Sequence, residues 1–166
     1  HKLGLNDTQI NHGMASFAGL PHRLQTVATI GPISFVNDSK ATNANAAAKA
    51  ISAFSKIYWL AGGVSKDDGI DTVLPYISNV EKAYLFGNSA SAFASQLQDH
   101  CHTTIHKNIY DAAQAAFNDA KESRAGGTIL LAPAAASFDQ FTNFSERGDI
   151  FCQIANELCN SGGLHA

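Results

Sequence analysis

Charge is scarce in this chain: Asp, Glu, Lys and Arg together make up 15% of its 166 residues, and the formal balance is -3. No run of Lys or Arg creates a local excess. Such a surface exerts no general pull on phosphate backbones or anionic lipid, so neither nucleic acid nor a membrane is an expected partner. Cysteine is scarce as well. Cys101, Cys152 and Cys159 are odd in number and show no C-x-x-C spacing, which excludes a disulfide-built domain and fits a reducing, cytoplasmic setting. No uninterrupted apolar run approaches the ~20 residues needed to span a bilayer. Also missing are a phosphate-binding G-x-x-x-x-G-K-[ST] loop, an internal repeat and any low-complexity segment. The opening His1-Lys2-Leu3-Gly4 is neither a signal peptide nor an initiator methionine, and from this we expect a segment of a longer protein.

What is present is apolar content, 45% over 166 residues, enough for one domain with a substantial core. Residues 1–18 are polar with a weak helical hint at Ile10 to Phe17, and we expect them to be the tail of a preceding domain. From Leu24 to Val36 two β-rich runs flank Gly31-Pro32, the pattern of a hairpin. Strand and helix then alternate. Ile57–Ala61, Ala83–Gly87, Thr103–Ile105 and Thr128–Ala132 read as strands, buried or partly so. Between and after them, Ala47, Ala50, Ile51 and Phe54 recur at helical spacing, as do Ala113, Ala116, Phe117 and Ala120, and then Phe151, Ile154, Ala155 and Leu158. Ser89–Leu97 completes the helical set. This alternation predicts right-handed βαβ units. The expected fold is α/β, a Rossmann-like three-layer sandwich with a mostly parallel sheet, helices on both faces and an N-terminal β-hairpin. Ligands of such sheets bind beyond the carboxyl ends of the strands.

Four turns carry residues suited to chemistry. Asn37-Asp38-Ser39-Lys40-Ala41-Thr42-Asn43 joins a strand end to a helix, with Thr42 or Asn43 able to cap the helix and Lys40 able to reach an anion. Read blandly, it is a capped helix beside an ordinary surface Asp and Lys. Gly62-Gly63-Val64-Ser65-Lys66 follows the apolar strand 57–61; its glycines permit a sharp turn and the close approach of a ligand, and Lys66 is a point charge for carboxylate or phosphate. Pro133 to Phe141 again follows a strand, and there Ser137 with the next backbone N–H groups is suited to an anion, unless Ser137 or Asp139 merely caps a helix. Pro21-His22-Arg23 offers a planar guanidinium at a domain boundary. By contrast, His100-Cys101-His102 with His106 does not converge on one ion if 100 and 102 share a strand face and Cys101 takes the other, so no metal site is assigned.

Taken together, Gly19-Leu20-Pro21-His22-Arg23, Asn37 to Asn43, Gly62-Gly63-x-x-Lys66, Ser137-Phe138-Asp139-Gln140-Phe141 and Asn143-Phe144-x-x-Arg147-Gly148 resemble the C-terminal domain of the ATP-dependent Mur ligases, and among them those that add D-glutamate. The resemblance spans about residues 19–160. It implies the third domain of a cytoplasmic peptidoglycan-synthesis enzyme, with residues 1–18 a lead-in and 161–166 a tail. It further implies that ATP, with Mg2+ held mainly by the central domain, phosphorylates the carboxylate of UDP-N-acetylmuramoyl-L-alanine, and that the amine of D-glutamate attacks the acyl phosphate. On that resemblance Arg23 would face the nucleotide phosphates and Asp38 its ribose, while Lys40 would be the catalytic cation. Thr42 and Lys66 would hold one carboxylate of D-glutamate, and Ser137 with the backbone around Phe138 and Phe144 the other. His22 matches the motif without an assigned role. Ala135 stands where many relatives carry Cys, and Asp67-Asp68-Gly69-Ile70 is more acidic than usual.

Two alternatives stay open at this point. One is another Mur ligase or a folylpolyglutamate synthase-like ligase domain, with the same fold and another amino acid. The other is a non-catalytic Rossmann-like binding module, which would need neither Lys40 nor Lys66.

Overall fold

The structure, a computed structural model, describes residues 4–17, 19–66 and 69–162. It begins with helix α1 (Asp7–Ser16), which has no buried residue. The helix starts three residues before the apolar hint at Ile10 because Asn6 and Gln9 form a reciprocal capping box, each side chain accepting the other's backbone N–H.

Strands β1 (Gln25–Ile30) and β2 (Ile33–Asn37) form the expected antiparallel hairpin. Then follow α2 (Ala44–Ser52), β3 (Ile57–Gly62), a 3₁₀ helix (Asp71–Asn79), β4 (Val80–Phe86), α3 (Ala90–Leu97), β5 (His102–His106), α4 (Ile109–Glu122), β6 (Gly127–Leu131) and α5 (Phe144–Gly162). The six strands lie in the order β1-β2-β6-β3-β4-β5, and every pairing except β1 with β2 is parallel. The expected α/β sandwich is therefore present. The 3₁₀ helix, which no apolar period in the sequence signals, has nine residues that include Pro75 and bury only Val73.

Both sheet faces are covered, and the strands show why. Ile57, Trp59 and Ala61 enter one core with α2, the 3₁₀ helix and α3, while Tyr58 and Leu60 enter the other with α4 and α5. A strand buried on both sides reads as an unbroken apolar run, because successive side chains alternate between two cores. The indole N–H of Trp59 donates to the carbonyl of Ala132 at 2.8 Å, so this large side chain is fully buried with its polar atom satisfied. Phe54 lies past the end of α2 yet packs against the same core as Ala47, Ala50 and Ile51.

Since β6 inserts between β2 and β3, the carboxyl ends of these three strands are adjacent. The loops leaving them are those that begin at Asp38, Gly63 and Ala132. Three of the four turns singled out from sequence thus share one edge of the sheet.

Candidate functional site

The first loop is shaped by Asn37, the last residue of β2, which is fully buried. Its side-chain oxygen accepts the N–H of Ser39 at 3.0 Å, and its amide donates to the carbonyl of Gly148 at 3.0 Å and meets His22 Nδ1 at 3.1 Å. Asp38 N–H donates to Leu131 of β6, and Lys40 N–H to the carbonyl of His22. Asn43, not Thr42, caps α2, accepting the N–H of Ala46 at 2.9 Å. Asp38 accepts the N–H of Leu24 at 3.3 Å. Burial raises its carboxyl above the ordinary 3.8, against the opposing pull of that N–H and of the Arg23 guanidinium.

In the second loop Gly62 and Gly63 have φ of 140° and 129°. A Cβ at Gly62 would stand 1.8 Å from the carbonyl oxygen of Phe86, and one at Gly63 would stand 2.1 Å from that of Ala136. The close approach expected at these glycines is therefore made by neighbouring backbone. Val64 and Ala136 exchange both N–H···O bonds, joining this loop to the third. Ser89 Oγ donates to Gly63 O and accepts the N–H of Ser65, both at 2.7 Å, which ties the base of the Lys66 loop to the start of α3. Asp67 and Asp68 lie outside the described residues.

In the third loop Ser137 is 2% exposed, and its carbonyl accepts from the N–H groups of Gln140 and Phe141. Phe138 projects outward with 73% of its surface exposed. Neither Ser137 nor Asp139 caps the next helix: Asn143 does so through Glu146 N–H, and Asp139 accepts the N–H of Asn88 in the turn after β4.

Arg147 binds the three loops together. It is fully buried, and its guanidinium donates to Ser39 Oγ (3.0 Å), Ser39 O (2.9 Å), Ala135 O (3.1 Å) and Gly62 O (3.4 Å). Burial pulls its pKa down to about 10, with Asp139 opposing, so the group remains cationic at neutral pH. Four acceptors from three loops use the fixed fork that only arginine has. Arg147 belongs to the motif Asn143-Phe144-x-x-Arg147-Gly148, which by itself assigns it no role. An arginine on an amphipathic helix ordinarily reads as solvated, and the signal available was its place one turn after the Asn143 cap.

Arg23, Asp38, Lys40 and Lys66 line one open cleft of about 730 Å³, together with Asn43, Asn45 and Lys49. A hollow of about 80 Å³ continues past Lys66 between Asn43, Gly69, Thr72 and Ala134. Thr42 is half-buried beside Lys40, to whose carbonyl its N–H donates. Phe144 meets the cleft through Lys40, whose ammonium stands 3.8 Å from its ring centroid. Ser137 and Phe138 are outside the lining. Among the described residues the arrangement is one of cations around a recess with a single carboxylate, suited to an anionic guest.

His100 sits in the turn after α3 and β5 begins only at His102, so the two histidines do not alternate along one strand as the spacing suggested. Among the described residues, no group of three or more His, Cys, Asp and Glu side chains is placed to hold a metal ion. The Cys101 thiol is pushed up to about 11 by burial.

Comparison with known families matches residues 22–135 to the family described as Mur ligase, glutamate ligase domain. This chain belongs to that family. The match takes in Arg23, Asp38, Lys40, Thr42 and Lys66, and so the cleft itself. Among curated relatives, a UDP-N-acetylmuramoylalanine–D-glutamate ligase of Cereibacter sphaeroides is 51% identical over 94% of this chain and 33% of its own length. Proteins of the same name from Agrobacterium fabrum (47% identical, 92% of this chain, 33% of the relative) and Rickettsia bellii (43%, 94% and 35%) are similar. The chain thus spans about a third of the length of the curated relatives it matches.

Proposed function

We propose that this Mur ligase domain, residues 19–160 between a lead-in and a short tail, is the amino-acid-binding part of an ATP-dependent ligase. The ligase joins D-glutamate to UDP-N-acetylmuramoyl-L-alanine in peptidoglycan synthesis, in the cytoplasm. The observation that carries this reading is the convergence of Arg23, Asp38, Lys40 and Lys66 on one cleft at the carboxyl edge of the sheet, in a chain whose curated relatives are named for that reaction.

Each group has a role that its chemistry supports. Arg23, exposed at the rim, suits phosphate oxygens. Asp38 keeps acceptor capacity beyond its bond to Leu24 N–H, which fits ribose hydroxyls. Lys40 counters the negative charge that develops as the amine attacks the acyl phosphate carbon and phosphate departs with its electron pair. D-glutamate carries two carboxylates and needs two separated anion sites. Lys66 and Thr42 serve one; Ser137 with the backbone around Phe138 and Phe144 serves the other once the rest of the protein closes over this domain. Mg2+ is needed for the phosphoryl transfer, and its ligands on this reading lie mainly in the rest of the protein.

The test is phosphate release by the full-length protein with ATP, UDP-N-acetylmuramoyl-L-alanine and a panel of amino acids. D-glutamate should be the preferred nucleophile. Preference for L-alanine or a diamino acid would overturn the assignment in favour of another ligase of the family, and no turnover with any of them would favour a binding module. The 166-residue chain by itself, lacking a phosphate-binding loop, should bind ATP more weakly than micromolar by calorimetric titration.

A further inference from the structure

The ammonium of Lys40 sits over the Phe144 ring, 3.8 Å from its centroid. Two residues hold Phe144, one by its backbone and one by its ring, and both adjoin the backbone beneath Lys40. Ser39, directly before Lys40, donates its hydroxyl to the Phe144 carbonyl at 2.7 Å. His22 meets the Phe144 ring edge to face, with centroids 6.2 Å apart and planes at 78°, while its carbonyl accepts the N–H of Lys40 at 3.2 Å. Ser39 and the loop around it are in turn held by buried Arg147. Among the described residues Lys40 makes no ion pair. The ring face is therefore the attractive surface that the structure offers its flexible four-carbon stem.

We infer that the side chain of Phe144, beyond its backbone, is a positioning residue for Lys40: an aromatic platform that aims the ammonium into the cleft. A lysine on a free stem samples many rotamers, and its charge helps a transition state only in the fraction of them that points inward. The ring's negative face narrows that set without neutralising the charge, which a carboxylate partner would do. An aliphatic residue of similar bulk fills the space but lacks the quadrupole. The catalytic consequence rests on the ligase reading above; the contact does not.

The experiment uses the full-length protein with its lysines reductively 13C-methylated, the Lys40 signal being assigned with Lys40→Arg. In the wild type the Nζ-methyl signal of Lys40 should lie upfield of the other lysines, displaced by the ring current. Phe144→Leu should return it to the common position, and Phe144→Tyr should keep it displaced. In turnover with ATP, UDP-N-acetylmuramoyl-L-alanine and D-glutamate, Phe144→Leu should lower kcat about five- to thirtyfold, with a smaller change in KM, and Phe144→Tyr should recover most of the loss. A wild-type Lys40 signal among the other lysines overturns the inference, and this readout needs no variant to fold. A displaced signal with kcat unaltered in Phe144→Leu overturns it equally. Should the protein ligate no amino acid while the signal stays displaced and sensitive to Phe144→Leu, the proposed reaction falls and the platform stands.

Discussion

Lys40 and Lys66 are the same residue type on the ends of nearby strands, yet the fold treats them differently. Lys40 is half-buried on a loop where backbone or side-chain bonds hold each residue from Asp38 to Asn43, and its ammonium rests on Phe144. Lys66 is exposed, and among the described residues the nearest anchors of its loop are Val64 to Ala136 and Ser65 to Ser89. A charge that acts on a transition state gains most from being fixed beforehand. A charge that recruits a carboxylate from solvent works from a solvated position and contributes similarly to ground and transition states. On the proposed reading the two lysines thus divide chemistry from capture.

The largest effect should come from removing what fixes the first loop. Arg147→Ala leaves four acceptors on Ser39, Gly62 and Ala135 without their donor, and a buried polar group left unsatisfied costs about 1–3 kcal/mol. Denaturant unfolding should show the loss. Arg147→Lys should recover only part of it, since an ammonium cannot reach three loops with one rigid fork. Unchanged stability in Arg147→Ala would mean the loops hold themselves. Next in size, Lys40→Ala in the full-length protein should lower kcat by about 10²- to 10³-fold, with kcat/KM falling in parallel. A variant altered only in KM would erase the contrast with Lys66.

The contrast between the lysines was only half legible in sequence. Strands such as 57–61 and 128–132 declare themselves because burial on two faces demands an apolar run, and glycine pairs and caps mark the turns between them. Four of the proposed ligand contacts, Arg23, Asp38, Lys40 and Lys66, could be gathered into one site because parallel topology brings strand ends together. What holds them was not legible. Arg147 looks like a helix-surface arginine until loops 39, 62 and 135 are folded around it, and His22 acquires a purpose only when Asn37 and Phe144 reach it from 15 and 122 residues away. Burial of Ser137 likewise follows from the pairing of Val64 with Ala136, a contact across 72 residues that no local pattern encodes.

A smaller effect tests the other side of the comparison. Lys66→Ala should raise KM for D-glutamate about tenfold while leaving kcat within a fewfold of wild type, as expected when a uniform binding contact is lost. A loss in kcat as large as that of Lys40→Ala would make both lysines part of the same transition-state cradle.

The smallest effect concerns Asp38, whose position between Arg23 and the Lys40 loop carries an energetic burden. Burial raises its carboxyl above 3.8 despite the Leu24 N–H and the Arg23 charge, so the folded state binds its proton more tightly than the unfolded chain does. The stability linked to this group is fully present below pH 3.8 and is lost as pH rises through the higher folded value. Asp38→Asn does not titrate, and its side-chain oxygen can still accept from Leu24. The melting temperature of the variant relative to wild type should therefore climb across that window and level off above it, leaving the variant slightly the more stable at neutral pH. Parallel melting profiles from acid to neutral pH would show that Arg23 and Leu24 fully offset the desolvation, and that this rim of the cleft is relaxed.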